Sequence, residues 1–305
     1  DLGIATVAAY SQDDTTCLHV RLADEAVALE GVGPRAYLDI EALVAAAVGA
    51  GCDAVHPGYG FLSENAAFAR ACAKAGLTFV GASPDALELF GDKSRARAFA
   101  AEHGVPLARG TMGPATVEEV RALQAEVGGA VMIKALAGGG GRGMRVVEAG
   151  EDPTAAYDAC VREAEGAFGD GRLYAEAVIP RARHIEVQIV ADGSSAVAIH
   201  DRECSIQRRR QKLVEVAPAI GLSPDVRRTL HDASVRMARA AQLRGLATFE
   251  YLLDAQDGRT VAFMEVNPRV QVEHTVTEAV TGLDLVQIQL GLAAGAGLAE
   301  LGLGA

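Results

Sequence analysis

The sequence predicts an α/β protein that becomes α+β in its second half. Three observations carry this reading. Residues 1–91 alternate short apolar runs with amphipathic stretches, which implies a parallel sheet with helices on its faces. Residues 135–147, ALAGGGGRGMRVV, set four consecutive glycines between apolar runs, a pattern that no strand or helix interior tolerates. Residues 248–266 read as a β-hairpin turning on Asp257 and Gly258, so antiparallel pairing replaces the earlier alternation. With 305 residues, 50% hydrophobic and 22% charged, the chain has ample material for a core and is globular.

The elements follow in order. Residues 4–9 form the first strand, 40–48 a helix capped by Asp39, 53–56 a strand, 64–74 a helix and 78–80 a strand. HPGYGFLSEN, residues 56–65, is a fixed loop after a strand end, where open α/β sheets place ligands. Its His56 and Glu64 are candidate catalytic groups; the plainer reading is structural, with Ser63 capping the next helix. A helix over 93–102 opens on Lys93. A cation there opposes the helix dipole, so either Lys93 shares an anion with the helix end or it is an ordinary surface lysine.

Residues 105–110 are extended, 117–126 helical, and 131–135 a strand containing Lys134. Exposed N–H groups of Gly138, Gly139, Gly140 and Gly141 can fold over phosphate oxygens, with charge added by Lys134. A flexible linker is the bland alternative, but the flanking apolar strands and the lack of Ser/Thr spacing favour a phosphate cover. No Gly-Lys-Ser/Thr follows, so it is not a Walker loop. Residues 172–178 form a strand ending in Glu176, before a junction whose backbone could meet an adenine edge. Residues 184–193 alternate in polarity as a strand. Arg208, Arg209, Arg210 and Lys212 are a basic run in an acidic chain. At strand spacing Arg208, Arg210 and Lys212 share a face and form an anion pocket, against the alternative of a solvated strand. Residues 223–243 and 281–294 read as helices.

The stretch 248–274 organises the rest. If its arms, 248–253 and 260–266, pair symmetrically about the turn, partner numbers sum to 515 and Glu250 faces Glu265. Like charges directly opposite are destabilising, and a divalent cation is the natural compensation. If the chain stays extended, Asn267, Arg269, Gln271 and Glu273 share the face of Glu265. The alternative is an amphipathic edge strand with a solvated polar face.

Composition excludes several classes. A net charge of −12 argues against a general nucleic-acid binder. Five scattered cysteines lack metal or redox spacing, which points to reduced thiols in the cytosol. No run approaches about 18 apolar residues, so no membrane span is expected, and no signal peptide is evident. No Ser/His/Asp grouping or Cys/His zinc spacing stands out. The start at Asp1 and the small-residue tail suggest cuts in a longer protein. A glycine-rich cover, two lysines, a basic run and a carboxylate pair together suit a nucleoside triphosphate with Mg²⁺ between two lobes. Arg269 and Glu273 are then placed to hold and deprotonate a second substrate.

HPGYGFLSEN, GDK, IKALAGGGGRGMRVV, RHIEVQIVADG, DRECSIQRRRQK, ATFEYL and EVNPRVQVEHTVTE run through nearly the whole chain. Together they resemble the biotin carboxylase component of biotin-dependent carboxylases, in the ATP-grasp superfamily. The resemblance implies three parts: a Rossmann-like N-terminal domain over 1–91, a hinge helix and mobile lid over 92–178, and a central antiparallel ATP-binding subdomain over 179–305. It implies phosphate binding by Lys93, Lys134 and the glycines 138–141, and adenine reading by Glu176, Ala177, Val178 and Ile179. His184, Gln207 and Arg210 match nucleotide contacts. Glu250, Glu265 and Asn267 match ligands of Mg²⁺ or Mn²⁺, and the two glutamates also face ATP. Lys212, Arg269, Gln271, Val272 and Glu273 match a bicarbonate pocket, with Glu273 the base, Arg269 the catalytic arginine and Lys212 alongside.

The implied reaction makes carboxyphosphate from bicarbonate and MgATP, then carboxylates biotin on a carrier domain that also serves a carboxyltransferase. The resemblance also implies a homo-oligomer and a family arginine that lies beyond this sequence. Position 210 is often histidine in the family and is arginine here, which cannot accept a hydrogen bond. Two other readings compete: an ATP-grasp ligase of the carbamoyl-phosphate type, and an ATP-binding module without turnover.

Overall fold

The structure is a computed structural model that describes residues 2–137, 143–209 and 211–304. The N-terminal part runs β1 (Val7–Tyr10), α1 (Leu18–Leu22), β2 (Glu25–Ala28), α2 (Ile40–Gly49), β3 (Ala54–Val55), α3 (Ala66–Lys74), β4 (Thr78–Phe79) and α4 (Pro84–Gly91). β1 pairs with β2 and β3 with β4, both parallel, as the alternation predicts. Asp39 caps α2 by accepting from the Ala42 amide at 3.0 Å. The cap of α3 is Asn65, accepting from Phe68 N at 2.9 Å, and not Ser63. The amides of Ser63 and Asn65 are committed to a turn on the Gly60 and Leu62 carbonyls, so the helix can begin only after Asn65.

α5 (Lys93–Glu102) has the predicted bounds. Its N-cap Asp92 accepts from the amides of Ser94 and Arg95, which offsets the mismatch of Lys93 with the dipole. An extended strap leads to α6 (Val117–Val127), whose start is a capping box of Thr116 and Glu119. β5 (Val131–Ala135), β6 (Met144–Val147), α7 (Thr154–Phe168) and β7 (Leu173–Ala177) complete a small module. Its antiparallel sheet has the order β6-β5-β7. Val131, Ile133, Ala135, Leu173 and Ala175 face a core shared with α6 and α7. Strand alternation then puts Lys134, Tyr174 and Glu176 on the reverse face, where they are nonetheless buried.

The largest sheet is antiparallel, with the order β10-β9-β8-β11-β12. Its strands are β8 (Ala182–Asp192), β9 (Ala196–Arg208), β10 (Gln211–Val216), β11 (Arg244–Asp254) and β12 (Val261–Asn267). α8 (Pro224–Ala240) lies between β10 and β11, and α9 (His274–Thr281) and α10 (Leu285–Ala293) follow β12. Ile185, Val187, Ile189 and Ala191 of β8 share one core with Ala247, Phe249, Tyr251 and Leu253 of β11 and with α4, α5 and α8. On the other face, Val190 and Leu246 pack under Leu285, Ile288 and Leu292 of α10. The remainder of that face carries His184, Glu186, Gln188, Thr248 and Glu250, all buried.

Three expectations change. The 248–266 hairpin pairs with partner sum 515 at its inner end, with Glu250 opposite Glu265 and Thr248 opposite Asn267. Nearer the turn the sum is 514, with Tyr251 opposite Phe263, and the shift leaves Met264 as an extra residue. The chain also does not stay extended past Asn267. Pro268 cannot donate to the ladder, and the backbone turns into α9 at His274. The basic run is not one continuous strand: Arg208 ends β9, Lys212 lies in β10, and Arg209 between them takes left-handed backbone at φ 52°. Arg208 pairs with Gln211 and Lys212 with Gln207, so Arg208 and Lys212 point to opposite faces. Arg210 and Gly138–Gly141 lie outside the described residues. Among the described residues no helix is long and apolar enough to cross a membrane.

Candidate active site

The centre of the polar sheet face is an ionic cluster around Lys212. From β10, its Nζ lies 2.6 Å from Glu186 Oε2, 3.1 Å from Glu250 Oε1 and 2.5 Å from Glu273 Oε1. Burial pushes the Lys212 ammonium down, but Glu250 and Glu186 outweigh it and hold the group above its usual value. Glu273 is opposed in the same way: burial raises its carboxyl, while Lys212 wins and keeps it below the ordinary range. It is therefore ionised at neutral pH, as a proton acceptor must be.

Glu250 meets Lys212, Asn267, Gln271 and His184. Oε1 accepts from Asn267 Nδ2 at 2.8 Å and Gln271 Nε2 at 3.0 Å. His184 Nε2 stands 2.8 Å from Oε2, a charge contact whose alignment falls short of a hydrogen bond. Burial disfavours charge on both groups, yet His184 is held above and Glu250 below its usual value, each by the other. His184 Nδ1 meets Gln207 Nε2 at 2.9 Å. Glu265, opposite Glu250 in the ladder, turns to Lys93 Nζ at 3.1 Å. The like-charge pair foreseen from the hairpin is thus relieved by Lys212, His184 and Lys93 in this structure.

A buried arginine ties the floor together. Arg202, wholly buried on β9, donates to Glu186 at 2.5 Å, Gln188 at 2.9 Å, Thr277 at 2.8 Å, and Thr248 and Gln271 at 3.2 Å each. A guanidinium with this many fixed acceptors positions the carboxylates around it. Arg269 leaves the floor: Nε donates to Glu64 Oε1 of the HPGYGFLSEN loop at 2.7 Å, and Nη2 to Asn267 Oδ1 at 3.2 Å. Val272 is 60% exposed, so only its backbone suits a ligand.

Lys134 and Glu176 form a second, buried ion pair on the small sheet. Burial and the nearby Lys134 charge push the Lys93 ammonium down while Glu265 holds it above its usual value, so this pair adjoins the first cluster. The Ala177 and Val178 amides are taken by Arg109 O at 2.7 Å and Ala130 O at 3.0 Å. An adenine edge at this junction would therefore use Ile179 N–H and the local carbonyls.

The geometry unites Lys212, Glu250, Asn267, Gln271, Glu273, His184 and Gln207, and joins Lys93 to Glu265 and Arg269 to Glu64. Sequence reasoning missed Glu186, Arg202 and Arg97, whose Nη1 lies 2.9 Å from Glu176 Oε2. Glu186 was findable, because RHIEVQIV alternates polar and apolar residues along a strand. Nothing in the sequence singles out Arg202 or Arg97.

A five-stranded antiparallel sheet carrying buried carboxylates and Lys212, next to a small three-stranded module carrying Lys134, is the arrangement of an ATP-grasp ligase fold. Residues 92–301 match the family "Carbamoyl-phosphate synthase L chain, ATP binding domain", and residues 1–87 match "Biotin carboxylase, N-terminal domain". The chain belongs to the biotin carboxylase family of biotin-dependent carboxylases. It is 46% identical to pyruvate carboxylase of Schizosaccharomyces pombe, over 99% of this chain and 26% of that protein. The solved biotin carboxylase–β,γ-ATP complex from Campylobacter jejuni is 42% identical with TM-score 0.93, over 96% of this chain and 66% of that one. The biotin carboxylase domain of Hydrogenobacter thermophilus 2-oxoglutarate carboxylase, solved with MgADP, ADP and bicarbonate, is 41% identical with TM-score 0.92, over 97% and 66%. The chain spans about a quarter of the length of the curated relatives it matches.

Proposed function

We propose that this chain carries out the first half-reaction of a biotin-dependent carboxylase: ATP-dependent carboxylation of biotin by bicarbonate. The observation that carries the proposal is Lys212 held among Glu186, Glu250 and Glu273. One small space there holds a base, a cation and the Gln271 amide, which suits a small oxyanion carrying a proton. Bicarbonate enters against Lys212, Arg269 and Gln271, with the backbone at Val272 beside it. Glu273 removes its proton, and the freed oxygen attacks the γ-phosphorus as the bond to ADP breaks, giving carboxyphosphate. That intermediate breaks down beside biotin into CO2 and phosphate; the phosphate takes the ureido N–H proton, and the freed nitrogen attacks CO2 to give carboxybiotin.

Lys93 and Lys134 bind the phosphates, assisted by the glycines 138–141. Residues 176–179 hold adenine, and His184 and Gln207 complete the nucleotide side. Glu250 and Glu265 lie opposite each other on β11 and β12 with Asn267 two residues beyond Glu265, and their carboxylate and amide oxygens are a donor set that would suit Mg²⁺ or Mn²⁺. A bound ion would neutralise phosphate charge there. Biotin comes on a carrier domain, with a carboxyltransferase as the next station, in a homo-oligomer. Five free thiols support a cytosolic reading. The carbamoyl-phosphate alternative is disfavoured, because the N-terminal match and the relatives are biotin carboxylases and pyruvate carboxylases.

The test is bicarbonate-dependent ADP release by the full-length protein, stimulated by free biotin. Glu273→Gln should lower it by about a hundredfold or more; an unaffected variant would remove Glu273 as the base.

A further inference from the structure

Glu176 is buried and holds two cations. Lys134 Nζ of β5 contacts its Oε1, and Arg97 Nη1 of α5 lies 2.9 Å from Oε2. Lys134 and Glu176 are each 5% exposed and Arg97 2%. Tyr174 of β7 offers its ring to both, with the guanidinium carbon 5.4 Å and the ammonium 5.9 Å from the centroid. Arg97 Nη2 also donates to the Ala108 carbonyl at 3.1 Å, in the strap between α5 and α6. Two residues on, Gly110 bridges to Glu176 in antiparallel fashion. A Cβ there would come within 2.6 Å of Ala175 O and 3.0 Å of Arg97 Nη2. One guanidinium therefore joins the helix that begins at Lys93, the strap and the small sheet.

The charges do not balance within this group: two cations share one carboxylate. Stranding a buried ion by removing its only partner is strongly unfavourable, so a lone Lys134 could not leave Glu176 cheaply. With Arg97 in place it can. We propose that Arg97 is the standing counter-ion of Glu176, a positioning residue that frees Lys134 to move from the carboxylate to an incoming nucleotide phosphate. This rests on the reading of Lys134 as a phosphate ligand.

Calorimetry with a non-hydrolysable MgATP analogue and, separately, with adenosine tests it on the protein and four variants. Arg97→Gln should bind the analogue about tenfold more weakly and adenosine unchanged, because Lys134 is then tied to Glu176. Adding Glu176→Gln to Arg97→Gln should restore the analogue's affinity, a rescue that a merely structural role would not give. Wild-type binding by Arg97→Gln, or parallel loss of both ligands without rescue, overturns the role. Lys134→Gln separates the two readings: if it binds the analogue normally, the phosphate role of Lys134 falls; if it binds weakly while Arg97→Gln is normal, only the role of Arg97 falls. Should Arg97→Gln not fold, Arg97→Lys keeps the charge but not the reach to Ala108. Retained affinity there supports the counter-ion, and a tenfold loss overturns it.

Discussion

At the residue scale, Lys212 and Glu273 set each other's protonation. In the proposed reaction Glu273 must be ionised to take a proton, and Lys212 holds its carboxyl below the usual range against burial. The acid limb of the pH–rate profile should therefore lie below an ordinary glutamate's. Lys212→Met removes the lowering influence and leaves burial, so the limb in its residual ADP release should move to higher pH; an unmoved limb would show that another group sets it. Asp201 is a structural counterpart on β9. Burial raises its carboxyl, but His231, Arg227 and the Ala219 amide hold it down, from 3.8 to about 2. Because its folded value is depressed, its contribution is complete above the unfolded value and disappears as pH falls toward the folded one. Asp201→Asn should lose about 2–4 kcal/mol near neutral pH in urea unfolding, and the gap to wild type should close as pH falls from about 4 to 2. Individual residues were the most uneven part of the sequence reading. Glu250, Glu265 and Glu273 were legible because they interrupt apolar patterns. Arg97 and Arg202 were not, since an arginine in a helix or strand pattern ordinarily reads as exposed.

At the element scale, the hairpin shows how a correct pairing can rest on an incomplete reason. Symmetry about Asp257 and Gly258 predicts the Glu250–Glu265 pair, and the pair is there. The strands near the turn nonetheless run one residue out of that symmetry, and Met264 makes up the difference. A one-residue slip moves a strand's side chains to the other face. Deleting Met264 removes the slip and should leave one regular ladder with Glu265 still opposite Glu250, so MgATP binding in calorimetry should persist; its loss would show that the bulge itself sets the site. Bulges leave no clear mark in composition, so this one was invisible. The end of β12 was misread for a simpler reason: polar alternation in NPRVQVEH imitates a strand, but Pro268 stops the ladder. Gln271 and Glu273 still reach the site because the turn into α9 brings them back over β11 and β10. The basic run failed similarly, as charge spacing says nothing about where a hairpin must reverse. Lys93–Glu102 and Val131–Ala135 were read with their observed bounds, the first marked by its Asp92 cap and the second by the apolar residues around Lys134.

At the scale of the whole molecule, one antiparallel sheet separates two kinds of chemistry by its faces. Odd-numbered positions 185, 187 and 189 of β8, and 247, 249 and 251 of β11, are core. Even-numbered 184, 186 and 188, with 248 and 250, belong to the ionic floor. The pleat imposes this parity, and it has a consequence for genetics. Saturation mutagenesis through β8 and β11, scored for both protein abundance and growth that depends on the proposed activity, should alternate with a period of two. Substitutions at odd positions should deplete the protein; conservative ones at even positions should leave it abundant and inactive. A scan in which both scores fall together at every position would show that the floor is itself part of what holds the sheet folded.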